Sequence, residues 1–169
     1  MSSIDELKAA AVSGFARSNR YRVFFPDGDG ELNVLCDSIV WPGRQIFTNE
    51  RFVDMKATKV AYAFGQEDIE ISFLMRNDWY TWDYLNDWMG RVIGNIGGLE
   101  GYTVNYKSDY ARNNIRIQHL STENDVTKEV VLKNVYPTSL NTIELSNESE
   151  NEIVRVSSEF SYDNWEIVS

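Results

Sequence analysis

Cysteine and histidine are almost missing from this sequence of 169 residues, which holds one of each, Cys36 and His119. A lone cysteine excludes an internal disulfide and fits a reducing compartment. One thiol and one imidazole also fall short of the set of soft ligands that holds zinc. Proline and glycine are sparse, at three and ten, and no linker or low-complexity run divides the chain. No apolar stretch approaches the roughly 20 residues that span a bilayer, and the first residues lack the basic-then-apolar order of a secretion signal. The chain therefore reads as made and folded in cytoplasm, without a membrane segment. Basic residues are outnumbered, 16 against 26, which leaves a net charge of −10 and a pI near 4.6. An acidic surface repels phosphate and argues against gripping nucleic acid.

Catalytic motifs are lacking too. There is no Walker loop, no Gly-x-Gly-x-x-Gly and no nucleophile elbow. The glycines from Gly94 to Gly98 follow a helical pattern, so they read as a helix stop and not as a phosphate cradle. Asp27 and Asp29 lack the remaining ligands of a calcium loop, because Glu31 stands where Asp or Asn belongs. A thiol nucleophile would need Cys36 and His119 to meet in space. Carboxylate pairing among Asp109, Glu123, Asp125 and Glu129 depends likewise on distances that spacing does not give. The expectation is a protein that is not an enzyme, with no catalytic, metal or cofactor site.

What is present is aromatic side chains, 13% of the sequence, and alternation. Tyr21, Val23 and Phe25 alternate with Arg22 and Phe24, and a turn at Pro26 to Gly30 predicts a hairpin returning over Leu32 to Cys36. Residues 44–66 alternate weakly and predict an irregular apolar segment. Ile69, Ile71, Phe73 and Met75 share one strand face, with Glu70 and Ser72 opposite. A helix is predicted over about 78–93, capped by Asn77 or Asp78, with Trp82, Leu85, Trp88 or Met89, and Val92 on its apolar face. Strands follow over 102–106, 115–119, 126–135 and 140–145. A final long strand carries Val154, Val156, Phe160 and Tyr162 and ends at Trp165. The fold class is α+β, mainly β: an antiparallel β-sandwich or partial barrel with one flanking helix, in a single domain over 1–169.

Motifs in order along nearly the whole chain then carry a resemblance. Gly14 to Val23 reads as an arm, an Ala-Arg-x-Asn entry and a first strand. Cys36 precedes the turn Trp41-Pro42-Gly43, and Asn77-Asp78 precedes an aromatic helix ending Asp87-Trp88. Then come Asp109-Tyr110-Ala111-Arg112, Thr127-Lys128-Glu129-Val130, Asn134-Val135-Tyr136-Pro137-Thr138 and Tyr162-Asp163-Asn164-Trp165-Glu166. In this the sequence resembles the tail tube proteins of contractile-tailed phages of the T-even type. The extra charge around Asp27 to Glu31 and the aromatic stretch Trp79 to Tyr84 depart from that pattern.

The resemblance implies a tail-tube-like β-sandwich that closes six copies into a ring and stacks rings into a hollow tube in the virion. Partners would be further copies of the chain, a sheath protein, a tape-measure protein and baseplate tube proteins. Double-stranded DNA would pass through during genome ejection without specific binding. The arm (about 1–18) and the C-terminal stretch would lie at subunit contacts, and residues 44–66 would protrude between rings. Phe15, Phe47, Phe52, Trp165 and Ile167 are the contact candidates. Glu70, Glu129 and Glu144 are candidates for an acidic inner wall, which repels DNA phosphates only at short range because screening acts over about 8 Å. Related readings are a baseplate tube initiator and the tube of another contractile injection system. A β-sandwich that binds a ligand or hydrolyses a substrate would instead show a deep pocket and depend on His119 or Cys36.

Overall fold

The computed structural model describes residues 4, 16–25, 30–53, 55–94, 103–111, 114–146 and 152–168. Twelve strands and three helices are numbered here along the described chain. Two four-stranded antiparallel sheets face each other. Sheet one has the order β1 (Tyr21–Phe24), β8 (Ile115–Leu120), β9 (Val126–Lys133), β12 (Asn164–Val168). Sheet two has the order β10 (Tyr136–Leu140), β11 (Arg155–Ser161), β5 (Ile69–Leu74), β2 (Cys36–Ile39). Alternation sends one side of each strand inward, so Val23, Ile115, Ile117, Val130 and Leu132 meet Ile69, Ile71, Phe73, Val156 and Phe160 in one core.

Helix α2 (Tyr80–Val92) lays Leu85 and Trp88 into that core, both fully buried, with Trp88 5.8 Å from Phe160 between ring centroids. The Trp88 indole N–H donates to the Tyr110 carbonyl at 2.9 Å, so its polar edge is satisfied at depth. Tyr110 closes the short helix α3 (Lys107–Tyr110). The expected cap is altered: the residue before α2 is Trp79, in a left-handed conformation with φ 59°, while the Asp78 carboxylate accepts from Tyr80 N at 3.3 Å. The helix gives way to extended backbone at Ile93, where β6 (Ile93–Gly94) pairs with β7 (Thr103–Val104). A Cβ on Gly94 would stand 2.8 Å from Thr103 Oγ1, so glycine here permits that close pairing. Gly97 and Gly98 lie outside the described residues.

Four expectations are corrected. First, the hairpin at 21–36 does not form, because β1 pairs with β8 and residues Gly30–Leu35 make a short helix, α1. A strand would put Leu32 and Val34 on one face; the helical turn buries Leu32 completely and leaves Val34 82% exposed. Asn33 Oδ1 accepts from Phe25 N at 2.9 Å, supplying a partner to the backbone where β1 ends. Second, residues 44–66 are regular: β3 (Gln45–Val53) and β4 (Lys56–Gly65) form a two-stranded antiparallel ribbon. Third, β10 occupies 136–140 instead of 140–145. Pro137 sits inside it, which is tolerated because β10 is an edge strand and carries a bulge between Pro137 and Ser139. Fourth, the long last strand is two strands, and the chain changes sheets between them at Tyr162 and Asp163. Asp163 N donates to the Lys133 carbonyl at 3.0 Å, while its carboxylate takes Lys107 and the Asn134 amide.

Candidate assembly surfaces

The residues with chemical potential are held apart or already engaged. His119 faces inward from β8, one ring nitrogen 2.7 Å from Thr127 Oγ1 and the other 3.1 Å from the Arg17 carbonyl. Cys36 belongs to the other sheet, and burial, with help from Asp37, pushes its thiol up to about 12. A protonated thiol and an imidazole with both nitrogens occupied do not make a nucleophile pair. Glu123 and Asp125 bracket a turn in which their backbone N–H groups donate to Ser121 Oγ at 3.1 and 3.2 Å. Asp109 lies on α3 and Glu129 on β9. Among the described residues no group of three or more His, Cys, Asp or Glu side chains is placed to hold a metal ion. A cavity of about 650 Å³ opens between the sheets, walled by Tyr21, Ile39, Trp41, Ile117 and His119. Arg17, Ser18, Thr127 and Lys128 also line it, and the His119 imidazole there is held by Thr127 and the Arg17 carbonyl. No helix among the described residues is long and apolar enough to cross a membrane.

The outer faces of the two sheets differ in chemistry. Sheet two turns outward mainly small hydroxyls and carboxylates: Ser38, Ser72, Ser157, Ser139 and Ser161, with Asp37, Glu70 and Glu159, while Leu74 and Tyr136 share that face at its margins. Glu70 and Glu159 are direct cross-strand partners, an arrangement of like charges that costs stability in a lone sheet. Arg155 pairs with Asp37 at 2.9 Å and is the single base among these strands. Sheet one turns outward a mixed set. Glu129 accepts from Gln118 at 2.6 Å and lies 3.9 Å from Arg116, and Lys133 pairs with Glu166 at 3.4 Å. Arg22 and Phe24 share that face. Glu70 and Glu129 thus point away from each other on opposite sides of the sandwich. Glu144 is exposed in the stretch after β10 that has no regular structure.

The β3–β4 ribbon exposes apolar side chains along its length: Ile46, Phe52, Val53, Met55, Tyr62 and Phe64. Phe52 is 75% exposed and Met55 wholly so. Phe47 lies across the ribbon base, where a Cβ on Gly65 would come within 2.6 Å of its ring. Among the described residues, neither strand pairs with any other strand of the body. A two-stranded ribbon is marginal alone in water, and contiguous apolar surface of this kind marks a contact site.

The sequence matches the phage tail tube protein family over residues 5–168. The chain belongs to that family. It is a structural component of a tail, not an enzyme. Solved structures share its fold at low identity. One is the tube-terminating cap of the anti-feeding prophage, with TM-score 0.68, 17% identity, and 92% of this chain and 91% of that chain covered. A second is the sheath/tube terminator of the extracellular contractile injection system PVC, with TM-score 0.67, 15% identity, and 90% and 96% covered. The PVC sheath–tube complex matches with TM-score 0.61, 16% identity, and 96% and 97% covered. No curated protein sequence matches significantly.

For a tail tube family member the sheet edges carry interest. Strands β10 and β2 end sheet two, and β1 and β12 end sheet one, each with one side unpaired among the described residues. Of the contact candidates, Phe47 and Phe52 sit on the ribbon, and Ile167 is half exposed on β12. Trp165 packs against the core, and its indole N–H donates to the Gly43 carbonyl at 3.2 Å. Phe15 lies outside the described residues. Sequence reasoning missed Asp37 and Glu159, which join Glu70 on one face. Period-2 alternation could have turned each of them outward, but only the β11–β5 and β2–β5 pairings bring them together.

Proposed function

We propose that this protein is the repeating subunit of a tail tube, in which six copies close a ring and rings stack around a channel that conducts DNA. In this reading sheet two faces the channel, and β10 of one copy pairs with β2 of the next, so that ring closure removes both open edges. The observation that carries it is the outer face of sheet two, where small hydroxyls and three carboxylates stand against one arginine. Such a wall offers phosphate little to bind, and within a narrow bore its charges act inside the screening length of about 8 Å. Glu70 belongs to this wall. Glu129, among bases on the other side, belongs to the outer surface that a sheath would cover.

The apolar β3–β4 ribbon reaches the next ring. Ten residues of strand extend about 33 Å, comparable with the width of a small domain. A tape-measure protein would fill the bore before ejection, and baseplate tube proteins would seed the first ring. The mature location is the virion tail. Cryo-electron microscopy of the purified, concentrated protein tests this. Rings or tubes whose bore is lined by Asp37, Glu70 and Glu159 are expected. A bore lined by Arg22, Arg116 and Lys133, or a protein monomeric at every concentration, overturns it. Abundance in purified tails then separates a main tube subunit from an initiator ring.

A further inference from the structure

Both legs of the β3–β4 ribbon are tied to one place on the body, the first two residues of β12. On the incoming leg, Trp165 Nε1 donates to the Gly43 carbonyl at 3.2 Å, and the Arg44 guanidinium lies 4.3 Å from the centroid of the Trp165 ring. On the outgoing leg, Gln66 Nε2 donates to Asn164 Oδ1 at 2.9 Å. The same Asn164 oxygen accepts from Trp165 N at 2.9 Å, so that amide is held in place by its own backbone. Beyond the base, β3 and β4 pair only with each other among the described residues. The direction in which the ribbon leaves the body is therefore set at these contacts. Among the described residues β12 is itself an edge strand, with one side unpaired and Ile167 and Val168 exposed.

We infer that Asn164 and Trp165 form a clasp that couples two assembly surfaces, the free edge of β12 and the ribbon. A neighbouring copy that seats β12 fixes Asn164 and Trp165, and these fix the ribbon in the direction that stacking requires. Coupling of this kind is reciprocal, so a docked ribbon also favours the seated strand. A complete ring then holds all its ribbons in one common direction, which couples ring formation to stacking. The inference rests on the tube reading above.

The test uses full-length protein with two substitutions that spare the core. Trp165→Phe keeps a ring against the core but removes the N–H, and Gln66→Ala removes the amide on the other leg. Rings and tubes are counted by electron microscopy across a concentration series, with thermal unfolding measured in parallel. The expected result is a double variant whose Tm stays within about 4 °C of wild type, a shift of order 1 kcal/mol. It still forms rings, but needs at least about tenfold more protein to stack them, a coupling in the usual range. Stacking at the wild-type concentration overturns the clasp, as does a loss of rings and tubes in equal proportion. If the Tm falls further, Arg44→Gln, which leaves every core side chain in place, is read by the same ratio of tubes to rings. Wild-type protein that forms neither rings nor tubes overturns the tube reading, and the clasp with it.

Discussion

Cys36 illustrates how a residue that invites a chemical reading is disarmed by its surroundings. Its thiol is pushed up to about 12, first by burial and then by the nearby Asp37 carboxylate. The raised value favours the protonated form in the folded state. Its contribution to stability is therefore complete below the ordinary value near 9 and is lost as pH rises towards 12. At pH 8 the thiol should react with a disulfide reagent at least about tenfold more slowly in native protein than in urea, since only thiolate attacks. Rapid stoichiometric release from native protein would contradict this. Trp88 carries a second expectation. Trp88→Phe keeps most of the packing but strands the Tyr110 carbonyl, at a cost of about 1–3 kcal/mol that urea denaturation would measure. Residue types alone made Cys36 and His119 worth weighing; the engagement of both imidazole nitrogens depends on Arg17 and Thr127, which spacing does not connect.

Elements with strong periodicity were legible from sequence, and those defined by a distant partner were not. Strand β5 declares itself because one face is uniformly apolar and buried, and helix α2 because Leu85 and Trp88 recur at helical spacing and are buried. The hairpin expected at 21–36 failed because β1 prefers β8, about a hundred residues away, and no local signal marks that pairing. The sheet change at Tyr162 and Asp163 was hidden for a related reason: alternation runs through it, and what breaks the strand is a set of bonds to Lys107, Lys133 and Asn134. The hydrogen bonds from Lys107 and then Asn134 hold the Asp163 carboxyl below its ordinary value. That contribution is present above about pH 3.8 and is lost as pH falls through the lowered value. The carboxylate is 44% exposed, so Asp163→Ala should cost only about 0.2–1 kcal/mol at pH 7. The cost should shrink as pH falls below about 3.8, as seen by chemical denaturation across that range. Leu85→Ala, which empties a fully buried site under α2, should cost about 2–5 kcal/mol.

The whole molecule carries −10 charges and an apolar ribbon, two features with opposite effects on self-association. Copies brought together repel through their acidic faces, so the concentration needed for assembly should fall as salt rises from about 50 to 500 mM, where screening shortens from above 10 Å to a few. Glu70→Gln with Glu159→Gln should flatten that dependence, which sedimentation would show. Phe52→Ser with Met55→Ser removes apolar surface that none of the described residues covers. It should leave the Tm unchanged and abolish tubes. A large drop in Tm would show instead that the ribbon packs on its own body. Which of the two outer faces lines a bore was not legible, since alternation defines two sides without naming what each one meets. One feature of the last strands bears on how such a particle resists force. Because the chain passes from β11 in one layer to β12 in the other within two residues, a pull on β12 is shared by both sheets. Tension along the strand then loads the β12–β9 ladder lengthwise, so its bonds must yield together. A tail drawn taut should part between subunits while each subunit stays whole.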